Sequence, residues 1–229
     1  MYMIFDLLKI GDLDESQFTE GHLIDLIDYH RALILKQRYT DVTKSVSMAN
    51  YQTLTFQVDY KDNPDFAFYS GEDVLPSIMP IGVIRTWDSA EYRGYNSVKI
   101  HNHVPYNRFR FITQNKYNKN QEYTSINDEG KGCYLGNRIP GDYTGGSLIP
   151  PIAMGKTKAM SAVYESAKEV YLYNGVLDKD LIDCGVPIEE RLIKDLISSI
   201  SAILKESLYL PKDEFNNDRN DLDNIPTGK

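Results

Sequence analysis

The chain has 229 residues, an apolar fraction of 41% and a formal net charge of −8. That length and composition fit one domain, or one domain with an insertion, built around a real core. The acidic balance argues against a general nucleic-acid or anionic-membrane binder, since both partners are held through basic surface. It leaves room for a protein that DNA must pass without sticking.

Two cysteines, Cys133 and Cys184, stand far apart without CxxC spacing. Neither a zinc site nor a redox pair is indicated, and two free thiols in a reducing compartment are expected. The opening MYMIFDLLKIGDLDESQ begins apolar, but it lacks a basic n-region and a small-residue cleavage site. No apolar run approaches bilayer length. A soluble product of the cytoplasm is expected.

Residues 1–15 suggest a short strand or half-turn on Met3, Ile4, Phe5, Leu7 and Leu8. Residues 19–41 then read as a helix of about five turns. Thr19 is placed as N-cap, and Phe18 and Leu23 as a hydrophobic staple. Leu23, Ile27, His30 and Ile34 form the apolar face. Asp25, Asp28, Arg31, Lys36 and Arg38 are expected on the polar side, acidic first and basic last as the helix dipole favours.

A period of two begins at Gln52, where Leu54, Phe56, Val58 and Tyr60 alternate with polar residues, as in a half-buried strand. Residues 61–65 carry turn composition. Further strands are expected at residues 79–86, 97–104 and 108–113, and short ones at 122–126 and 131–135 around the turn Asp128-Glu129-Gly130. Residues 141–146 read as a mobile loop, and Pro150-Pro151 closes the β-rich part.

Helical spacing returns after Gly155. Met160, Val163, Tyr164, Ala167, Val170 and Tyr171 form one stripe, with Gly175 as the stop. Residues 179–183 form a short turn. Pro187 suits the first position of the next helix, with Glu189 and Glu190 in its first turn. Its stripe of Leu192, Leu196, Ile200, Ile203 and Leu204 runs to about Leu208. The expected fold class is therefore α+β: a helical bundle, with one N-terminal and two C-terminal long helices, carrying a β-rich insertion. Residues 1–51 and 153–210 make the helical platform of a single domain, 52–152 the insertion, and 211–229 a flexible polar tail.

Motifs for chemistry are weak. Gly155-Lys156-Thr157 resembles the end of a P-loop, but Pro150 stands where its first glycine belongs. His101 and His103 share a strand face about 7 Å apart, without an obvious third metal ligand in the sequence. The acidic pairs lack EF-hand order, and neither cysteine has a nucleophile's setting. No catalytic residue, cofactor or metal is assigned. Seventeen tyrosines, many in the β-rich part among Asn, Arg and Gly, favour a protein interface over a sugar site.

The opening helix LIDLIDYHRALILKQRYTD, the β-rich region and the amphipathic C-terminal helices together resemble the head-to-tail connector proteins of tailed bacteriophages. The ring proteins of crAss-like phages are the nearest in style, and adaptor proteins of short-tailed phages share the plan. At residue level the resemblance rests on Asp28-Tyr29-His30-Arg31-Ala32-Leu33-Ile34 and more weakly on the last helix. It implies a virion protein without enzymatic activity, assembled with itself into a closed dodecameric ring. Its implied partners are the portal and neighbouring tail rings, with DNA passing and not specifically bound, and no membrane. The expected subunit interface draws on Arg31, Arg38, Tyr106, Arg108 and Tyr143. Two other readings remain open: a carbohydrate-binding module or enzyme with its site near His101, His103 and Tyr106, and a metal-dependent nuclease using His101.

Overall fold

The structure, a computed structural model, describes residues 19–40, 45–62, 67–89, 100–113, 121–135 and 157–208. The expectations for residues 1–15, the Phe18 staple, the turn at 63–65, the loop at 141–146, Pro150-Pro151, the tail at 211–229 and Tyr143 lie outside the described residues.

Helix α1 spans Glu20–Arg38. The Thr19 hydroxyl accepts from the His22 amide at 3.3 Å, the expected N-cap. Leu23, Ile27 and His30 are buried as their spacing requires. Strand β1, Gln52–Gln57, alternates buried and exposed residues along its length. After Val58 the chain continues as β2, Asp59–Asp62, and β3, Ala67–Val74. Then come β4 (Arg85–Asp88), β5 (Asn102–His103), α2 (Tyr106–Thr113), β6 (Tyr123–Ile126), β7 (Lys131–Leu135) and β8 (Thr157–Ala162). Helix α3, Ala167–Tyr173, a 3₁₀ turn at Asp178–Asp183 and helix α4, Glu190–Leu208, complete the described order.

The strands form two sheets. One has the order β1-β8-β4 and is antiparallel throughout. The other has the order β2-β3-β7-β6-β5, with β5 parallel to β6 and the rest antiparallel. The direct run from β1 into β2 carries the chain from one sheet to the other. A bridge between Thr86 and His101 joins them again, with the His101 amide donating to the Thr86 carbonyl at 2.8 Å. The Phe56 ring lies flat over Gly132, where any Cβ would overlap it.

This architecture overturns the expected helical bundle with two long C-terminal helices. Residues 157–162, read as the start of a long helix, are the central strand of the three-stranded sheet. Strand β8 is buried at nearly every position, so no period of two shows in its sequence. Its Met160, Val163, Tyr164, Ala167 spacing imitates a helix, but only α3 is helical, and Ser166 caps it by accepting from the Glu169 amide. The β-rich middle is thus not inserted into a helical platform, because β1 and β8 bracket it as partners.

Residues 108–113, expected as a strand, belong to α2. The alternation in Arg-Phe-Arg-Phe misleads, since Phe109 is buried while Phe111 is 65% exposed. The Pro105 carbonyl accepts from the amides of Arg108 and Phe109 and starts the turn. The expected strand at 79–86 shrinks to β4, because Gly82 sits at φ +73° and breaks extension. The hairpin β6–β7 and the helix stop at Gly175, just past the Asn174 cap and with φ +87°, lie where the sequence places them. Helix α4 starts at Glu190, so Glu189 precedes its first turn.

Three cores follow. Helices α1 and α4 share the first, with Leu35, Leu196, Ile200 and Leu204 fully buried. Leu54, Phe56, Met160 and Tyr164 anchor the second, between the three-stranded sheet and α3. Phe109, Tyr123, Cys133 and Leu135 form the third, under α2. Each such side chain contributes about 1.5–3 kcal/mol by leaving water.

Arg31 is the largest correction to the helix reading. It is not on a polar face but completely buried, at 0% exposure. Its Nε donates to the Pro187 carbonyl at 2.9 Å, Nη1 to that of Tyr164 at 3.0 Å, and Nη2 to that of Asn50 at 3.5 Å. Burial lowers its pKa to about 10, opposed by the charge of Asp28. One guanidinium thus joins α1, the 3₁₀ turn at Met48–Asn50, the end of β8 and the approach to α4. Arg31→Lys should cost about 3–5 kcal/mol in urea unfolding, because one ammonium cannot reach three carbonyls set in a fork. A loss under about 1 kcal/mol would refute this role.

Candidate functional site

The residues singled out by the sequence separate on folding. Arg31 is interior, while Arg38 is exposed in the last turn of α1. Tyr106 and Arg108 share α2. Tyr106 is half-buried and stacks on Phe109 with ring centroids 6.3 Å apart, and Arg108 is exposed. The α1 pair sits on a helix of the first core, and Tyr106 of α2 packs against the third.

His101 comes to lie in a cluster that sequence spacing did not reveal. It is buried, and its Nε2 lies 2.8 Å from Glu122. Asp88, at the end of β4, pairs with Lys158 of β8, which is only 1% exposed. The Lys158 ammonium also sits 3.5 Å from the centre of the Tyr134 ring, and the His101 ring lies 5.1 Å from Tyr134 on centroids. Thr124 donates to the Thr86 hydroxyl at 3.1 Å beside them. The partners of His101 come from positions 88 and 122, so only the sheet topology brings them together. A signal was available in Lys158, the one charge in the otherwise uncharged stretch of β8.

Asp88, His101 and Glu122 offer three ligand atoms within 4.8 Å of one another, a set that suits a divalent cation by type. The surroundings do not fit one. The Lys158 ammonium already lies on Asp88, and its side chain is enclosed. A metal ion would add two positive charges next to a cation with no exit to water. The arrangement is a buried cluster where the two sheets meet: the Asp88–Lys158 pair lies within one sheet, and the Lys158 ammonium on the Tyr134 ring and the Thr124–Thr86 bond cross to the other. His103, two residues on, is partly buried, and its burial lowers its pKa.

The other buried ionisable groups are also bound inside the fold. His30 Nδ1 lies 3.1 Å from the Ser199 hydroxyl. The Tyr39 hydroxyl donates to Glu189 at 2.7 Å, the Arg191 Nε donates to Glu189 at 2.6 Å, and the Glu189 amide donates to Asn50 Oδ1 at 2.9 Å. Burial on its own would raise the Glu189 pKa; the hydrogen bonds from Arg191 and Tyr39 outweigh it and hold the carboxyl below its ordinary range. Both cysteines are free thiols, and burial pushes Cys133 up to about 11. No described helix is long and apolar enough to cross a membrane.

The surface presents a different picture. Tyr29, Met48, Val74, Val83, Ile100, Phe111 and Leu177 are well exposed. The chain belongs to the family of phage tail ring protein 2, whose family model matches residues 1–222. It is similar to Ring protein 2 of Bacteroides phage crAss001, with 28% identity over 233 residues, 97% of this chain and 96% of that protein. The resemblance to crAss-like ring proteins is therefore shown, and the chain is a structural protein of the phage virion.

Two outcomes test the internal ties. Lys158→Met strands Asp88 and should cost about 3–5 kcal/mol, and the double change with Asp88→Leu should recover much of that loss. Urea midpoints of the two single variants and the double variant measure it. The depressed Glu189 carboxyl stabilises the fold above the ordinary carboxylate range, and that contribution fades as pH falls through its folded pKa. Glu189→Gln should therefore be less stable than wild type at pH 7, with the gap closing below about pH 4 in thermal unfolding. A gap that stays constant with pH would refute it.

Proposed function

We propose that the protein is the repeating subunit of a closed ring in the neck or tail barrel of the phage, stacked below the portal and enclosing the path of the DNA. The observation that carries this reading is the ring-protein family match along residues 1–222. The fold supports it physically. A ring repeats one heterologous contact, so each subunit must hold two different surfaces at a fixed angle. The ties through Arg31 and Lys158 give that rigidity, since each locks separate segments with directional bonds. The net charge of −8 suits a channel that DNA traverses without adhering. A ring of twelve copies is the stoichiometry we infer, since the resemblance implies it. Its role is mechanical, with assembly and not catalysis as its activity.

The alternative site near His101, His103 and Tyr106 gains no support. His101 is enclosed by Glu122 and Tyr134, and Tyr106 packs on Phe109. A sugar platform needs such groups open to solvent.

Mass photometry and negative-stain imaging test the proposal, on the protein alone and mixed with its neighbouring tail proteins. A closed ring is expected, either alone or on a partner ring. Arg38→Gln, a change at an exposed position, should weaken assembly while moving the unfolding midpoint only slightly. A monomer that never assembles in any mixture would overturn the reading.

A further inference from the structure

Two surface features of opposite character lie on different cores. The first is a groove between α1 and α3. Tyr29 and Leu33, one helical turn apart on α1, face it along with Leu172 of α3. Tyr29 is 65% exposed, and the other two are also open to solvent. Around these apolar residues lie Asp25, Asp28, Glu165 and Glu169, against Lys36 and Lys168. The two lysines are already held, Lys36 by Glu165 at 2.8 Å and Lys168 by Asp25 at 2.7 Å. Asp25 and Glu165 are matched by those lysines and Asp28 is bound at the start of α3, so Glu169 carries the negative charge at the groove's edge, beside the exposed apolar side chains.

The second feature is the outer face of α2. Phe109 points into the third core, which turns Arg108 and Phe111 outward, one turn apart. Phe111 is 65% exposed. The sequence of α2, YNRFRFIT, has two arginines and no carboxylate. This helix therefore offers an aromatic anchor beside positive charge, the composition that carries binding energy at protein contacts.

We propose that α2 of one subunit docks into the α1–α3 groove of the next, with Phe111 packed against Tyr29, Leu33 and Leu172 and Arg108 facing the acidic edge. The occupant is a second copy of this chain, argued from the matching charge and the matching apolar content of the two surfaces. The contact is heterologous, since helix and groove are different parts of the same protomer, and a contact of that kind can propagate around a ring. This inference rests on the ring reading above and names the interface that would build it.

Disulfide trapping tests it. In a Cys184→Ser background, Ala32→Cys in the groove and Asn107→Cys on the exposed side of α2, one turn before Phe111, are combined in one chain, the protein is assembled, and it is oxidised mildly. Non-reducing electrophoresis should show a ladder of covalent oligomers beyond the dimer. Either cysteine alone should give no ladder. Independently, Arg108→Glu with Phe111→Asp should weaken assembly by about ten-fold or more at an unchanged urea midpoint, because both side chains lie outside the core. If the wild-type protein forms rings but the paired cysteines yield no ladder, or the double variant assembles normally, this interface is refuted and the ring reading stands. If the wild-type protein forms no ring alone or with its tail neighbours, both fall together.

Discussion

The guanidinium of Arg31 is the constraint on which the arrangement of helices depends. A buried cation is costly to desolvate, and Arg31 offsets that cost by donating to three carbonyls. Those carbonyls belong to three segments distant in sequence, so the bonds are geometric pins and not merely local ones. Asp28, one turn earlier on α1, complements it. Its carboxylate accepts from the Ser166 hydroxyl at 2.6 Å and the Ala167 amide at 2.7 Å, at the start of α3. The two charged residues of α1 thereby fix where α3 begins and how α4 approaches. The apolar stripe of α1 supplies burial energy but little orientation, because hydrophobic contact is not directional.

Strand β8 transmits that constraint to the sheets. Its extension reaches the Arg31 fork at Tyr164, and at its other end Lys158 pairs with Asp88 beneath Tyr134. His101 and Glu122 belong to the edge of the five-stranded sheet, so the cluster spans both sheets. The bridge from Thr86 to His101 and the continuous run of β1 into β2 supply two covalent or backbone connections between the same sheets. The ionic cluster adds side-chain specificity to them. Replacing such charges by apolar groups commonly stabilises a protein, so their value lies in selecting one relative placement of the sheets.

What the sequence disclosed divides along physical lines. Helix α1, strand β1 and the β6–β7 hairpin were legible because one face of each is wet and the other dry, leaving a clear period or turn signal. Strand β8 was not, because burial on both faces erases alternation, and its Ala, Met and Ser are compatible with helix. Helix α2 was misread as a strand because an eight-residue helix offers two turns of pattern, and its alternating Arg and Phe match a strand as well. Arg31 was placed outside because charge normally marks the wet face, and no local signal announces three distant carbonyls. The His101 cluster required Asp88, Glu122 and Lys158 to meet through sheet order. The family, by contrast, was visible in the first helix and the general plan, although the plan's division into platform and insertion did not survive.

The division between interior and surface charge bears on how copies of an acidic protein can adhere. Each subunit carries a net charge of −8, so identical copies repel on average. At physiological ionic strength that repulsion decays over about 8 Å, and contact is then decided by the groups that touch. Lys158 and Arg31 take no part, since their charges are spent inside the fold. The exposed arginines must supply the local attraction, and an arginine beside an exposed aromatic ring does so with apolar burial in the same patch. In the proposed interface, a basic, aromatic helix would meet a groove with an acidic edge on the next copy: screened repulsion would keep random orientations apart, while one orientation would bring opposite charges and apolar side chains together.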